Sequence, residues 1–176
     1  EIVFTSGAAE SNNWVLSNFD EIFISPFEHS SVREPALHQG GVVLGGFAES
    51  PLHQPLSSAT EASVGEHGRA QERGALVSVM SVNNETGSLI NLPSIPLGTK
   101  LHRDITQQVG KLPVDLTGVH FASFSAHKFG GPKGCGFLVL PAEDSRLHFM
   151  RGGPQESGRR AGTENYPDRK STRLNS

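Results

Sequence analysis

Short apolar segments recur along the chain and run directly into turns of small or polar residues. The clearest is 75–82, which is typical of a buried strand and leads into the polar stretch 83–87. Comparable strand segments are 1–5, 21–25, 119–125 and 134–140. Strands that alternate with helical stretches favour an α/β sheet, and polar residues collect at the strand ends of such folds. We therefore expect an α/β protein with a largely parallel sheet.

The remaining segments give weaker signals. Helices are predicted at 10–17, at 59–66 and from 105–109 onwards, and short strands at 41–47 and 101–103. The segment 89–98 contains Pro93 and Pro96, which argue against a long helix there.

Composition narrows the class of protein. A chain of 176 residues is long enough for one ordinary domain. The net charge of -3 provides no basic stripe, which argues against a nucleic-acid partner. No apolar run approaches the length of a membrane span. Cys135 is the single cysteine, which excludes an internal disulfide and fits a reducing compartment such as the cytoplasm.

The C-terminal segment 168–176 differs in character from the rest. One choice of codons for it reproduces a widely used sequencing-adapter sequence. We therefore expect a non-native tail there, on a partial reading frame that opens inside a strand. A native basic and polar tail is the alternative.

Two side chains suggest a specific chemistry. Lys128 lies where an apolar strand ends in a Gly/Pro turn, and we expect it to be poorly solvated, as suits a Schiff-base amine. Asp104 precedes Gln107 by three residues, so both can face one ligand. An amine and a carboxylate against a pyridine nitrogen are what a pyridoxal-phosphate (PLP) enzyme needs. The alternatives are a surface lysine and a helix N-cap aspartate, and the N-cap is compatible with cofactor binding.

A third feature is the segment 5–12, which supplies a strand, a tight turn and a helix start. Such a turn can bind a phosphate through backbone N–H groups. Many strand–helix turns look alike, so this motif alone is weak.

Six motifs follow one another in the order seen in cysteine desulfurases, which are fold-type I PLP enzymes of class V. They include Ser6-Gly7-Ala8-Ala9-Glu10, Glu28-His29, Asn83-Asn84-Glu85-Thr86-Gly87, His102-Arg103-Asp104 with Gln107, Ser125-Ala126-His127-Lys128 and Arg160-Ala161-Gly162-Thr163. The chain resembles this family from residue 1 to residue 166, and most resembles its iron–sulfur and nitrogenase-type branch.

The resemblance implies a fold and an activity. The fold would be the three-layer αβα large domain with a mostly parallel sheet, incomplete here, and residues 1–167 would form part of the PLP-binding domain. The enzyme would remove sulfur from L-cysteine, giving alanine and an enzyme persulfide for iron–sulfur or thiolation pathways. It would be a homodimer that passes sulfur to scaffold or acceptor proteins.

The resemblance also assigns site residues and no metal ligand. The catalytic residues would be Lys128, which holds PLP, Asp104, which pairs with the pyridine nitrogen, and His29, which stacks on the ring. The contacts to the ring hydroxyl would come from Asn84 and Gln107. The phosphate would contact Ala8, Ala9, Ser125 and His127, with Thr163 reaching the phosphate of the other subunit.

The chain departs from the family pattern at several places. Ala9 replaces a usual threonine, which removes a hydroxyl bond to the phosphate worth roughly 1.5–3 kcal/mol. Arg103 and Ile105 replace small residues and are expected to crowd the cofactor, and the segment 87–101 is shorter than usual. Cys135 is predicted to be buried and inert, whereas the family's nucleophilic cysteine lies on a loop further downstream.

Two other interpretations stay open. One is another class V PLP enzyme, such as an aminotransferase or a selenocysteine lyase. The other is an inactive fragment or degenerate copy, favoured by Ala9 and the shortened segment.

Overall fold

A seven-stranded mixed sheet forms the centre of the computed structural model, which describes residues 1–45, 49–50, 74–92, 95–142 and 147–163. The strands are β1 (Ile2–Thr5), β2 (Glu21–Ile24), β3 (Val42–Val43), β4 (Glu49–Ser50), β5 (Ala75–Ser78), β6 (Leu89–Ile90), β7 (Lys100–Asp104), β8 (Phe121–Ser125) and β9 (Gly136–Val139). The helices are α1 (Ala8–Leu16) and α2 (Ser30–His38), with short 3-10 turns at Ala126–Lys128 and Gln155–Gly158.

The order of strands in the sheet is β1-β9-β8-β7-β5-β2-β3, and β4 pairs with β6 separately. Only β9 is antiparallel to its neighbours in the large sheet, and the other six strands point the same way. The prediction of a mostly parallel α/β sheet is therefore confirmed. The carboxyl ends of the parallel strands meet at one edge, where α/β proteins bind their ligands.

Side chains alternate between the two faces of the sheet, as they must along any strand. On one face Val3 and Leu138 join a core with Trp14 and Leu16 of α1. On the other face Phe4 and Phe137 pack with a ring-centroid separation of 4.6 Å. The sheet is therefore packed on both faces, and this packing fixes the position of the carboxyl ends of its strands.

Gly136 determines how closely β9 approaches the turn before α1. A Cβ atom at this position would lie 2.3 Å from the Cα atom of Gly7. Because that neighbour is backbone, any side chain here would displace the turn. Gly136 thereby fixes where α1 begins.

Several predicted boundaries need correction. The first helix begins at Ala8 rather than at residue 10, and β5 ends at Ser78 rather than at residue 82. Residues 106–111 form consecutive turns rather than the predicted helix, and Gly110 among them has a φ of 75°.

Other predictions fall on weaker or undescribed segments. The predicted strand at 41–47 is reduced to β3, and residues 46–48 lie outside the described residues. The helix predicted at 59–66 also lies outside them. The segment 89–98 begins with the two-residue strand β6. Within the described ranges, no helix has both the length and the apolar character that crossing a membrane requires.

Candidate active site

A cleft of about 290 Å³ opens at the carboxyl edge of the sheet. Its lining comes from the segments that follow β1, β2, β5, β7 and β8. The lining residues are Ala8, Ala9, His29, Ser31, Met80, Val82, Asn84, Asp104, Thr106, Gln107, Ser125, His127 and Lys128. Nine of the ten residues predicted from the sequence therefore share one cleft, and the exception is Thr163, which is exposed and does not line it.

Asp104 is the last residue of β7, and its side chain is buried. One carboxylate oxygen accepts a hydrogen bond from the backbone N–H of Thr106 at 3.0 Å. The other accepts from the Nδ2 of Asn12 at 3.1 Å. Both donors are N–H groups, which bind an ionised carboxylate well. The alternative interpretation of Asp104 as a helix N-cap does not apply, since its side chain closes a turn instead.

His29 occupies the N-cap position of α2. Its Nδ1 accepts a hydrogen bond from the backbone N–H of Ser31 at 3.1 Å. A neutral imidazole whose Nδ1 accepts must carry its proton on Nε2. The Nε2 atom is therefore the ring nitrogen left to exchange a proton with a ligand.

The start of α1 forms one side of the cleft. The backbone N–H of Ala8 donates to the Oγ of Ser125 at 2.7 Å, which joins the helix start to the end of β8. Helix N-termini attract anions because their first N–H groups lack partners and the helix dipole is positive there. Ala9 is exposed beside this helix start and brings no hydroxyl to it.

Lys128 and His127 lie on the 3-10 turn that follows β8. The carbonyl of Ala126 accepts from the backbone N–H groups of Phe129 at 3.1 Å and Gly131 at 2.9 Å, which holds the turn closed. Both Lys128 and His127 are exposed. The prediction that Lys128 is poorly solvated is wrong, because strand burial ends at Ala126.

Thr106 is a cleft residue that sequence reasoning missed. Its Oγ1 is buried and has no hydrogen-bond partner in the described part of the chain. An unpaired buried hydroxyl is costly, and a polar ligand in the cleft would relieve that cost. Its position two residues after Asp104 was the sequence signal that could have placed it in the cleft.

These features together test whether PLP suits the cleft. The volume lies near the lower end for small-molecule pockets, roughly 300–1,000 Å³. The cleft also presents an amine at Lys128, a buried carboxylate at Asp104, a helix start and an unpaired hydroxyl. The residues present therefore fit a phosphorylated aromatic aldehyde.

Three residues flagged by the sequence lie away from the cleft. Arg103 points to the other face of the sheet, where its Nη2 donates to the carbonyl of Ile90 at 3.3 Å. Ile105 is buried and does not line the cleft, so the expected crowding by these two residues is wrong. Cys135 is buried with Phe4 and Phe137, as predicted.

Comparison with known proteins identifies the family. A family model described as aminotransferase class-V matches residues 1–168. The chain belongs to the class V aminotransferase family.

Relatives of this class V chain are named cysteine desulfurases. The one from Sinorhizobium fredii is 35% identical over an alignment 197 residues long. The alignment covers 95% of the chain and 46% of the relative. A cysteine desulfurase IscS from Methanosarcina thermophila is 35% identical, over 95% of the chain and 44% of its own length. The chain thus spans less than half the length of these curated relatives.

Solved structures show the same fold. The X-ray structure of a NifS-like protein from Rickettsia africae superposes with a TM-score of 0.76 at 28% identity, over 100% of this class V chain and 50% of that one. Another structure, titled NIFS-like protein, gives a TM-score of 0.75 at 28% identity, over 99% and 52% of the two chains.

Proposed function

We propose that this chain is the PLP-binding part of a cysteine desulfurase, an enzyme that removes sulfur from L-cysteine and leaves alanine. The observation that carries the proposal is the single cleft in which the Lys128 amine, the buried Asp104 carboxylate and the start of α1 meet. The relatives named cysteine desulfurase support the choice of reaction.

Each group in the cleft has a defined task in this proposal. Lys128 would hold PLP through its aldehyde carbon, and Asp104 would accept a hydrogen bond from the pyridine nitrogen. Asn84 and Gln107 would contact the ring hydroxyl, and the start of α1 with Ser125 and His127 would bind the phosphate. When bound, PLP supplies an electron sink for charge at the substrate's Cα.

Proton movement would fall to His29 and Lys128. The Nδ1 of His29 is held by Ser31, so the Nε2 atom would lie against the ring face and carry the proton. The Lys128 amine is exposed, so it can meet a substrate that enters from solvent. Asp104 would stay directed at the ring nitrogen, because N–H groups of Asn12 and Thr106 hold its two carboxylate oxygens.

The sulfur acceptor must be a thiolate other than Cys135. Cys135 is buried under Phe4 and Phe137, and a buried thiol in apolar surroundings is inert. In the whole enzyme, another cysteine would take the sulfur as a persulfide for iron–sulfur or thiolation partners. Cys135 is the single cysteine of this chain, so we expect PLP binding without alanine release.

The assembly would be a cytoplasmic homodimer. Thr163 is exposed and lies outside the cleft, as a residue serving the other subunit's phosphate would. Arg160 forms a bidentate ion pair with Glu10. Its Nε donates to the Oε1 of Glu10, and its Nη2 donates to the Oε2 at 3.2 Å. That pair ties the segment carrying Thr163 to the helix start at which this chain would bind its own phosphate.

The decisive experiment is covalent trapping. PLP added to the purified chain should give a visible absorbance band, and borohydride reduction should leave an adduct that peptide mapping places on Lys128. Lys128→Ala should lose both signals. Lys133→Ala is the matched control, since Lys133 is exposed in the same turn region and does not line the cleft. A colourless chain, or an adduct at a different lysine, would rule out the proposal.

The substrate needs a separate measurement. The bound chromophore should shift on addition of L-cysteine, and more strongly than with L-alanine at the same concentration. A transfer of the amino group to a keto acid would instead indicate the aminotransferase alternative.

A further inference from the structure

Asn12 lies fully buried in α1, behind the cleft rather than in it. Its Nδ2 donates to the Oδ2 of Asp104 at 3.1 Å and to the Oγ of Ser31 at 2.9 Å. The Ser31 hydroxyl in turn lies 2.9 Å from the Nδ1 of His29. One amide therefore supports the two cleft residues that would act on opposite parts of the cofactor ring.

The orientation of this amide is determined by its surroundings. Turning it over would place its oxygen against the Asp104 carboxylate, and two acceptors repel. The Oδ1 of Asn12 must therefore face Ser123, whose hydroxyl donates to it. The Ser123 hydroxyl has one hydrogen, which it donates to Asn12. The Ser123 oxygen can therefore only accept a hydrogen bond from the next member of the network.

That next residue is His102, which is fully buried. Its Nε2 lies 3.0 Å from the Ser123 Oγ and its Nδ1 lies 2.8 Å from the Ser78 Oγ. Nε2 must therefore donate, and Nδ1 must accept from Ser78. Burial lowers the pKa of His102 to about 4, against the opposing effect of the Asp104 charge, so the ring is neutral at pH 7.

We propose that five side chains form a directional hydrogen-bond relay that positions Asp104 and His29 for the cofactor. The five side chains are buried or half-buried, and they belong to Ser78, His102, Ser123, Asn12 and Ser31. We name this set the Asn12 relay. The proposal rests on the proposed function, because it takes PLP as the group that Asp104 and His29 meet. Every donor in it points towards the cleft, which is the arrangement that holds an acceptor carboxylate and an acceptor Nδ1 in place.

Ser78, His102, Ser123 and Asn12 are positioning residues, since none of these four lines the cleft, whereas Ser31 does. A buried polar chain is costly unless each member is satisfied, and an apolar core would be as stable without it. Because each member is satisfied, the relay adds little stability over an apolar core, so a purely structural role does not explain it.

The first test needs no cofactor. The ¹⁵N signals of the His102 ring, assigned by their loss in His102→Gln, should show a proton on Nε2 and none on Nδ1. The ring should stay neutral as the pH falls from 7 to 5. A proton on Nδ1, or a charged ring at pH 7, would overturn the relay.

The second test measures PLP affinity and the pH at which the visible band changes. Ser123→Ala and His102→Leu should each weaken PLP binding roughly three- to tenfold and move that pH. His102→Gln should recover most of the loss, because glutamine offers one donor and one acceptor. Ser11→Ala is the matched control, since Ser11 is a buried serine of α1 whose hydroxyl contacts Thr5, Gly7 and Phe137 and no member of the relay.

Equal affinity and an unmoved pH midpoint in Ser123→Ala and Ser11→Ala would overturn the proposal. A wild-type chain that binds no PLP would instead refute the proposed function. In that case the His102 ring signals still decide whether the relay exists, so the two failures are distinguishable. Those signals also decide the matter if a substituted chain does not fold, because they are recorded on the wild type.

Discussion

Replacing Glu28 with glutamine removes a buried carboxylic acid whose ionised form is disfavoured by burial. Glu28 is 6% exposed, and its Oε1 accepts from the Ser25 hydroxyl at 2.5 Å and from the backbone N–H of Met80 at 2.6 Å. Its Oε2 is buried without a partner among the described residues. Burial raises the pKa of Glu28 from 4.5 to about 8, although both hydrogen bonds act in the opposite direction.

This shift makes stability depend on pH in a known direction. Between pH 4.5 and 8 the folded chain keeps a proton on Glu28 that the unfolded chain has released. The free energy of unfolding therefore falls as the pH rises, by about 1.4 kcal/mol per pH unit. His102 acts oppositely, because burial lowers its pKa from 6.5 to about 4 and its stability contribution grows as pH rises to 6.5.

The two effects oppose each other below pH 6.5, so the Glu28 effect is isolated between pH 6.5 and 8. Over that interval the wild-type chain should lose about 2 kcal/mol of stability, and Glu28→Gln should lose little. Urea unfolding followed by the fluorescence of Trp14, the single tryptophan, measures this directly.

Glu21→Gln provides the control. Glu21 is an exposed carboxylate on β2, the strand that precedes Glu28 in the chain. This variant should retain the wild-type fall in stability. The reasoning is refuted if the wild-type free energy of unfolding stays constant over this interval, or if Glu28→Gln falls in parallel with it.

Two further substitutions change residues at the start of α1 and in the strand packed against it. Ala9→Thr restores a hydroxyl beside the start of α1 and should tighten PLP binding about tenfold, because a hydrogen bond to a charged group is worth roughly 1.5–3 kcal/mol; an unchanged dissociation constant would show that residue 9 does not reach the phosphate. Gly136→Ala places a Cβ atom 2.3 Å from the Gly7 Cα, so urea unfolding should show a loss of about 1–3 kcal/mol. Unchanged stability would mean that β9 and the turn can move apart freely.

The sheet and most of the cleft could be predicted because both follow from strand ends. Apolar periodicity locates the strands, and parallel strands bring the residues that follow them to one edge. Asp104 at the end of β7 and Lys128 after β8 are neighbours for that reason alone. The motif order of the family then assigned a task to each residue, including Asn84 on a loop without periodicity of its own.

The errors arose where local pattern competed with tertiary structure. Residues 105–109 have the apolar spacing of a helix start, but Gly110 adopts a positive φ and packs against Phe129, whose Cβ would lie 2.4 Å from an added side chain. The chain therefore turns there. Lys128 was predicted to be poorly solvated because it follows an apolar strand, yet the tight turn at Ala126 places it in solvent.

The Asn12 relay was invisible for a different reason. Ser123 interrupts an apolar strand and Asn12 lies in a helix, and 111 residues separate them along the chain. Each looks like a polar residue at an unfavourable position, since polar groups buried singly destabilise a core. Only when the fold brings them together does each donor find an acceptor, with the Asp104 carboxylate at the end. Unexplained polar residues on the buried face of strands next to a candidate site are therefore informative, because the fold tolerates them only in a satisfied network.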